Sequence, residues 1–180
     1  MRKLFSEMAK PRLRLVLGGL VAALYAVLTL LFAPISYGPV QFRLSEALTV
    51  LPVLFPQAIP GLALGCLIAN LIGSATPWDV VFGTLATLLA AFGTRLLRKN
   101  LWLAALSPVV LNSVIVGFVL HFSLALPLLP TMGSILLGEA VVVYVLGIPL
   151  LAALRRLEGF TAGDSAGRPK DPTRKRPPRE

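Results

Sequence analysis

Between Leu13 and Leu154 the chain carries eight charged side chains: Arg14, Arg43, Glu46, Asp79, Arg95, Arg98, Lys99 and Glu139. The rest of its charge is gathered at the two ends. A soluble domain carries about 25% charged residues, whereas this chain has 14% with 56% hydrophobic residues, and its mean hydropathy is +0.82. Crossing a bilayer as a helix takes roughly 20 apolar residues, so the region from 13 to 154 has room for six spans. The pattern predicts an all-α polytopic membrane protein, a bundle of six transmembrane helices at approximately 13–33, 44–56, 58–73, 77–98, 101–122 and 132–154. Boundaries read this way are good to roughly 2–4 residues.

The second and third segments are short and meet around Pro56-Gln57-Ala58, which suggests a tight hairpin. Pro52, Pro60, Pro108 and Pro149 are expected to kink or end helices, as membranes tolerate where neighbours satisfy the freed backbone groups. The opening MRKLFSEMAKPRLR has the charge of a signal peptide. The apolar run from Leu15 to Ala33 is longer than the roughly 7–15 residues of such a segment, and no A-x-A site follows, so it reads as a retained first helix. Residues 1–12 are expected to be a basic cytoplasmic N-terminus, 13–157 the six-helix membrane domain, and 158–180 a disordered basic cytoplasmic tail, rich in Gly, Pro and charge.

The net charge of +9 follows from topology rather than from nucleic-acid binding. With both ends on one side, that side holds sixteen of the seventeen Lys and Arg residues, and only Arg43 lies opposite. The positive-inside rule puts the termini in the cytoplasm of a cell (plasma) membrane protein.

That orientation sorts the remaining polar residues by depth. Gln41, Arg43 and Glu46 open the second segment at its outer end, Asn70 closes the third, and Trp78 and Asp79 begin the fourth. Asn112 falls near the middle of the fifth, and Glu139 lies seven residues after Met132, roughly 10 Å below the surface at 1.5 Å per residue. Ionisable groups at such depth face a cavity or a partner, so the outer half is expected to hold a pocket for a polar ligand. Each residue has a plainer alternative. Thr76-Pro77-Trp78-Asp79 matches a capping box, Arg43 and Glu46 at i,i+3 could pair with each other, and Asn70 could bridge helices. Trp78 suits an interfacial aromatic belt. Glu139, beside Tyr144 and without a basic neighbour in sequence, is the hardest to explain as structure alone. In the first span, Gly18, Ala22 and Ala26 form a small-residue face suited to close helix contact, either inside the fold or with a partner helix.

Other chemistries find no support. One histidine and one cysteine do not make a zinc site. No Walker A sequence or G-x-S-x-G elbow is present. Neither an enzyme nor a cofactor is expected, and Cys66 reads as a small apolar filler.

The blocks VQFRLSEALTVLP, IPGLALGCLIANLIG, WDVVFGTLATLLAA and LGEAVVVYVLGIPLL resemble those of the QueT family, over roughly residues 13–155. The family's members are substrate-binding (S) components of energy-coupling factor (ECF) transporters that take up queuosine precursors. The resemblance implies a six-helix bundle with an outward pocket. It also implies a first helix contacting a transmembrane coupling protein, energy from two ATPase subunits, and a 7-deazaguanine ligand. A carboxylate accepts the adjacent N–H and amine of such a base, a role for Glu46 or Glu139. Gln41, Asn70 or Asn112 would read its carbonyl, and Phe42, Trp78 or Tyr144 would stack on its ring. Competing expectations are an S component for another vitamin-like substrate and a stand-alone secondary transporter with Glu139 as proton carrier.

Overall fold

A computed structural model describes residues 11–37, 41–73 and 76–156. The basic N-terminus up to residue 10 and the tail from residue 157 lie outside the described residues. Helix α1 runs Pro11–Leu31 and is followed by a one-turn helix, Ala33–Ser36, started by Pro34. Next come a 3-10 helix, Leu44–Val53, and α2, Ala58–Ile72. Helix α3, Asp79–Leu96, α4, Leu101–Leu124, and α5, Leu128–Arg156, complete the chain. No strand occurs among the described residues. The helical segments overlap the ranges that charge and hydropathy predict, but their lengths do not bear out six transmembrane spans among the described residues. Four of them, α1 and α3 to α5, are long and apolar enough to cross a membrane. The 3-10 helix covers about 20 Å at 2.0 Å per residue and α2 about 22 Å at 1.5 Å per residue, both less than the roughly 30 Å hydrocarbon layer.

The outside of the bundle is apolar. Leu15, Val16, Leu20, Leu24, Val27 and Leu31 line the outward ridge of α1, and Val110, Val114, Phe118 and Phe122 that of α4. A continuous exposed apolar surface of this kind is foreign to a soluble monomer and natural in lipid. The polar residues have gone inside: Glu46, Asn70, Asn112 and Glu139 are all buried. The exterior and interior together define a polytopic helical membrane protein.

The 3-10 helix is the axis around which the rest packs. Every residue from Ser45 to Val53 is buried. At three residues per turn, side chains at i and i+3 eclipse, so the segment carries three distinct rows. Leu48 and Leu51 join Tyr25, Leu62 and Ala91 in one core cluster, whereas Val50 and Val53 join Ala104, Val109 and Val143 in another. The third row, Arg43, Glu46, Thr49 and Pro52, is the polar one. The Thr49 hydroxyl donates to the Glu46 carbonyl at 2.5 Å, and Arg95 of α3 donates to the carbonyls of Pro52 and Val53 at 3.1 and 3.0 Å. Those are C-terminal carbonyls without an intrahelical partner, and a guanidinium suits them in both hydrogen bonding and helix dipole.

Close approach elsewhere rests on small residues. A methyl group at Gly61 would lie 2.5 Å from the Gly18 carbonyl oxygen, and one at Gly65 would lie 2.6 Å from that of Ala22. The Gly18, Ala22 and Ala26 face, a candidate for docking a partner, therefore packs inward, with Ala22 and Ala26 buried. Its smallness serves the α1–α2 seam. Between α3 and α4, the Ser107 hydroxyl reaches the Ala90 carbonyl at 3.1 Å and the Thr94 hydroxyl that of Ala104 at 3.2 Å.

The helices also depart locally from α geometry. Asp79–Gly83 and Val142–Gly147 are π turns. The second ends two residues before Pro149, whose ring crowds the carbonyl four residues back and has no N–H to give it, so widening relieves the helix there. Gly147 within it lets the 3-10 helix pass, since a methyl group would lie 3.1 Å from the Ala47 carbonyl oxygen.

The seam predicts an asymmetry between neighbouring glycines. Gly65→Leu is expected to lower stability by about 1–3 kcal/mol or more through overpacking. Gly19→Leu, with open space around the position, is expected to leave it unchanged. Thermal unfolding of the two variants in detergent checks this, and equal melting temperatures would refute the packing.

Candidate functional site

Arg43 opens the site. The backbone from Gln41 runs extended and closely over α5, so that a side chain at Gly138 would clash with the Gln41 carbonyl oxygen and meet the Phe42 ring. Arg43 keeps extended dihedrals (φ −94°, ψ 94°) before the 3-10 helix begins. Its guanidinium lies 5.6 Å from the centre of the Tyr37 ring, a cation–π distance, and Tyr37 is fixed by donating to the Ala69 carbonyl at 2.7 Å. No ion pair joins Arg43 to Glu46 among the described residues, although its charge acts on both Glu46 and Glu139. The simple i,i+3 pairing offered by the sequence is therefore not the arrangement adopted.

Glu46 lies fully buried two residues into the 3-10 helix. Tyr25 of α1, also fully buried, donates its hydroxyl to Glu46 Oε1. One turn along α1, Thr29 shares a 2.7 Å hydrogen bond with Ser45, so two contacts set the height of the 3-10 helix against α1. Thr87 of α3 and Asn112 of α4 border the same carboxylate. Across the bundle, Asn112 Nδ2 donates to Glu139 Oε1 of α5 at 3.3 Å, and the Glu46 and Glu139 charges act on each other. Five helical segments thus deliver polar groups to one buried cluster.

What remains unpartnered is as informative. Glu46 Oε2, Glu139 Oε2, Asn112 Oδ1 and Asn70 Oδ1 are buried oxygen atoms that accept no hydrogen bond, and Arg43 Nε is a buried donor with nothing to donate to. Buried polar atoms without partners are uncommon and costly. Those of Glu46, Glu139, Asn112 and Arg43 belong to the cluster, which is rich in acceptors and suited to a solute that presents several N–H groups. Asn70 Oδ1 and the hydroxyls of Ser36, Thr84 and Ser123 are unpartnered as well without belonging to it.

The remaining candidates lie elsewhere. Asp79 is occupied as a cap: its Oδ2 accepts from the Thr76 amide at 3.1 Å and the Thr76 hydroxyl at 2.9 Å, and its own amide donates back to Thr76 Oγ1 at 3.2 Å. Trp78 is 60% exposed and stacks on Phe82. Tyr144 stacks on Trp102 and donates to its carbonyl at 3.0 Å; Trp102 lies ten residues, about 15 Å, along α4 from Asn112. Asn70 sits against the π turn, donating to the Asp79 carbonyl at 3.0 Å, and Gln41 is buried beside Gly138. Tyr25 and Thr87 were not singled out by sequence. The available signal was the Tyr25/Thr29 pair at i,i+4, which breaks the apolar run of α1 with two hydroxyls on one face. Among the described residues no cluster of three or more metal-ligating side chains occurs.

A bundle with a lipid-suited exterior and an ionisable, hydrogen-bonding interior is the architecture of a polytopic membrane protein that handles a polar solute. Residues 15–156 match the QueT transporter family, and the chain belongs to it; the family consists of transporters, not enzymes. The chain is also 34% identical over 135 residues to the queuosine precursor transporter QueT of Lactococcus lactis subsp. cremoris (strain MG1363), an alignment covering 67% of this chain and 79% of that protein. No solved structure matches it.

The Tyr25–Glu46 contact generates a stability prediction. Tyr25→Phe leaves a buried carboxylate oxygen without its donor and is expected to cost about 1–3 kcal/mol. In a Glu46→Gln background the same change is expected to cost less. Denaturation of the single and double variants measures the coupling, and a coupling near zero would remove Tyr25 from the site.

Proposed function

We propose that this chain is the membrane-embedded S component of an ECF-type uptake transporter, and that it binds a queuosine precursor, a 7-deazaguanine base, between Glu46 and Glu139. The observation that carries the reading is the pair of buried carboxylates, each with one oxygen held by a protein donor and the other accepting nothing. The guanine-like edge of such a base offers a ring N–H beside an exocyclic amine, which a carboxylate accepts bidentately. Glu46 takes that edge, Arg43 Nε donates to the base carbonyl, and Phe42 beside Gly138 is within reach of the ring as a stacking surface. The relative's name, queuosine precursor transporter, supports the substrate class.

The rest of the proposal follows from charge and sequence. The basic residues at 12–14, 95–99 and 155–156 all fall at the same end of alternating helices, which supports a cytoplasmic location for both termini in the plasma membrane. The carboxylates then lie toward the outer side and the pocket opens outward. The sequence carries no P-loop, so transport energy comes from a separate ATPase pair through a transmembrane coupling protein. With its small-residue face packed on α2, α1 presents the outward ridge of Leu15, Leu20, Leu24 and Val27 to that partner. The 3-10 helix, enclosed by the others, and α2, which keeps Leu64, Ile68, Leu71 and Ile72 on the outside, are too short to cross unaided and complete six segments.

Equilibrium binding of 7-deazaguanines, guanine and a set of vitamins to the purified protein tests the reading. A 7-deazaguanine is expected to bind, with Glu46→Gln weakening it about 10- to 100-fold, the worth of a hydrogen bond to a charged group. Binding of a vitamin instead would keep the S-component reading and change the substrate. Absence of binding across the set would favour a proton-coupled carrier, tested by uptake driven by a pH gradient.

A further inference from the structure

Helices α3 and α4 enclose a second cavity, on the wall of the bundle that faces lipid. Its volume is about 570 Å³, and no residue of the carboxylate cluster lines it. Ligand sites typically measure about 300–1,000 Å³. From α3 it is lined by Trp78 and Phe82, whose rings stack at 5.9 Å. From α4 it is lined by Phe118 and Phe122, stacked at 6.4 Å. Phe82 belongs to the π turn Asp79–Gly83, a widened turn of the kind that recurs at functional sites. At one end of the cavity Ser123 Oγ is buried and has no hydrogen-bond partner, a cost that an occupant with an acceptor removes. The cavity follows α4 from Val114 to Ser123, nine residues or about 14 Å. That is close to one leaflet, about half of the roughly 30 Å hydrocarbon layer. It lies where α3 begins and α4 ends, at the opposite end of both helices from Arg95, Arg98 and Lys99.

We infer that this cavity binds one phospholipid with an ammonium-bearing, net-neutral headgroup. One acyl chain lies between the aromatic walls, and its ester carbonyl accepts from the Ser123 hydroxyl. The inference is independent of the ligand proposed above. A transmembrane helix is the competing occupant, and the side chains speak against it. Helix contacts in lipid are made through small residues that let backbones approach, as α1 and α2 do at Gly61 and Gly65. Here large rings hold the two walls apart, leaving a slot for something thinner than a helix of about 10–12 Å diameter. The headgroup follows from charge. Asp79 is the only charged residue between Ala47 and Thr94, and apart from His121 none lies between Leu101 and Gly138. Arg43 is buried with the carboxylates. An anionic headgroup at this end of α3 and α4 therefore finds no basic partner, whereas an ammonium finds the carboxylate next in sequence to Trp78. The bound chain also braces Phe82, and with it the π turn whose first carbonyl, that of Asp79, is held by Asn70.

The chain has two tryptophans, one at this cavity and one at the other end of α4, so each can report alone. The full-length protein carrying Trp102→Phe is reconstituted in vesicles of equimolar phosphatidylethanolamine and phosphatidylglycerol with the same acyl chains. Only one of the two lipids is brominated in each preparation, and quenching of Trp78 fluorescence is read. Brominated phosphatidylethanolamine is expected to quench at least about threefold more than brominated phosphatidylglycerol, the scale of preference that one charge contact gives at a membrane surface. With Trp78→Phe instead, Trp102 beside the basic turn is expected to show no preference for phosphatidylethanolamine. Val114→Phe, which fills the cavity, is expected to bring the Trp78 ratio close to one with helical circular dichroism unchanged. Ser123→Ala is expected to lower the ratio too, and takes the place of that variant if Val114→Phe fails to fold. Equal quenching of Trp78 by the two lipids, or more by phosphatidylglycerol, would overturn the inference. So would the same preference at Trp102, or a ratio that neither substitution changes. Trp78 quenched by neither lipid would also overturn it, and would mean that protein, such as a second copy of the chain, covers the cavity.

Discussion

Glu46 is a carboxylate withdrawn from both water and lipid, and the bundle is arranged around the need to hold it there. Isolated burial of such a charge is prohibitive, so it must be met by donors and a countercharge. Tyr25 supplies the donor from α1, Arg43 the countercharge from the preceding extended residues, and α3 and α4 bring Thr87 and Asn112 to its edge. Each of those segments has to come close, and the small residues of the core make that possible. Gly65 admits the Ala22 carbonyl and the Tyr25 side chain, so the seam between α1 and α2 is also what aims the Tyr25 hydroxyl at its partner. The polar centre and the glycine-lined seams are two parts of one solution.

The same economy governs the helix irregularities. In lipid every backbone carbonyl must find a donor within the protein, and the places where the helices change pitch are the places where side chains provide one. Asn70 serves the Asp79 carbonyl at the start of the α3 π turn, and Arg95 serves the last carbonyls of the 3-10 helix. The Asn100 side chain accepts from the amides of Trp102 and Leu103 at 3.1 and 3.4 Å to begin α4. At the other end of α4 the chain turns through Ala125 with φ 53°, a left-handed conformation that costs an alanine about 1 kcal/mol or more, before Pro127 starts the approach to α5. That turn brings Met132 against Gly117 and sets the height at which Glu139 faces Asn112.

Much of this arrangement was legible in the sequence, for a simple reason. In a chain with so few charges, each one marks either a membrane boundary or an interior site, and the run lengths between them locate the segments. Glu46, Asn112 and Glu139 stood out because polarity at depth has few explanations, and the structure brings these three together. Other features were hidden. In the segment 44–53 the polar residues are three and four apart, Glu46 to Thr49 and Ser45 to Thr49, a spacing that could not separate a 3-10 helix from an α-helix. Tyr144 and Trp78 were candidates for stacking because aromatic residues suit that role, but the angle at which each leaves its helix directs them to Trp102 and Phe82. Asp79 was ambiguous by chemistry, since one carboxylate can cap a helix or bind a solute, and its geometry with Thr76 is that of the cap. The Gly18, Ala22 and Ala26 face announced a close contact without naming the partner helix, which is α2.

The three-residue period of the central helix carries a consequence for how this region tolerates change in length. Each residue there advances the side chain by about 120°, so the three rows are occupied in strict rotation by groups with different surroundings: one apolar cluster, a second apolar cluster, and the carboxylate's neighbours. Inserting or deleting one residue between Leu44 and Val53 would rotate the following side chains by a whole row, driving leucines into the polar row or hydroxyls into an apolar cluster. An α-helix, advancing by about 100°, blurs such an error across a broad stripe, but this segment has no stripe to blur into. Length variation among related chains should therefore be confined to the connections on either side of it, and the helix itself should behave as a unit of fixed size.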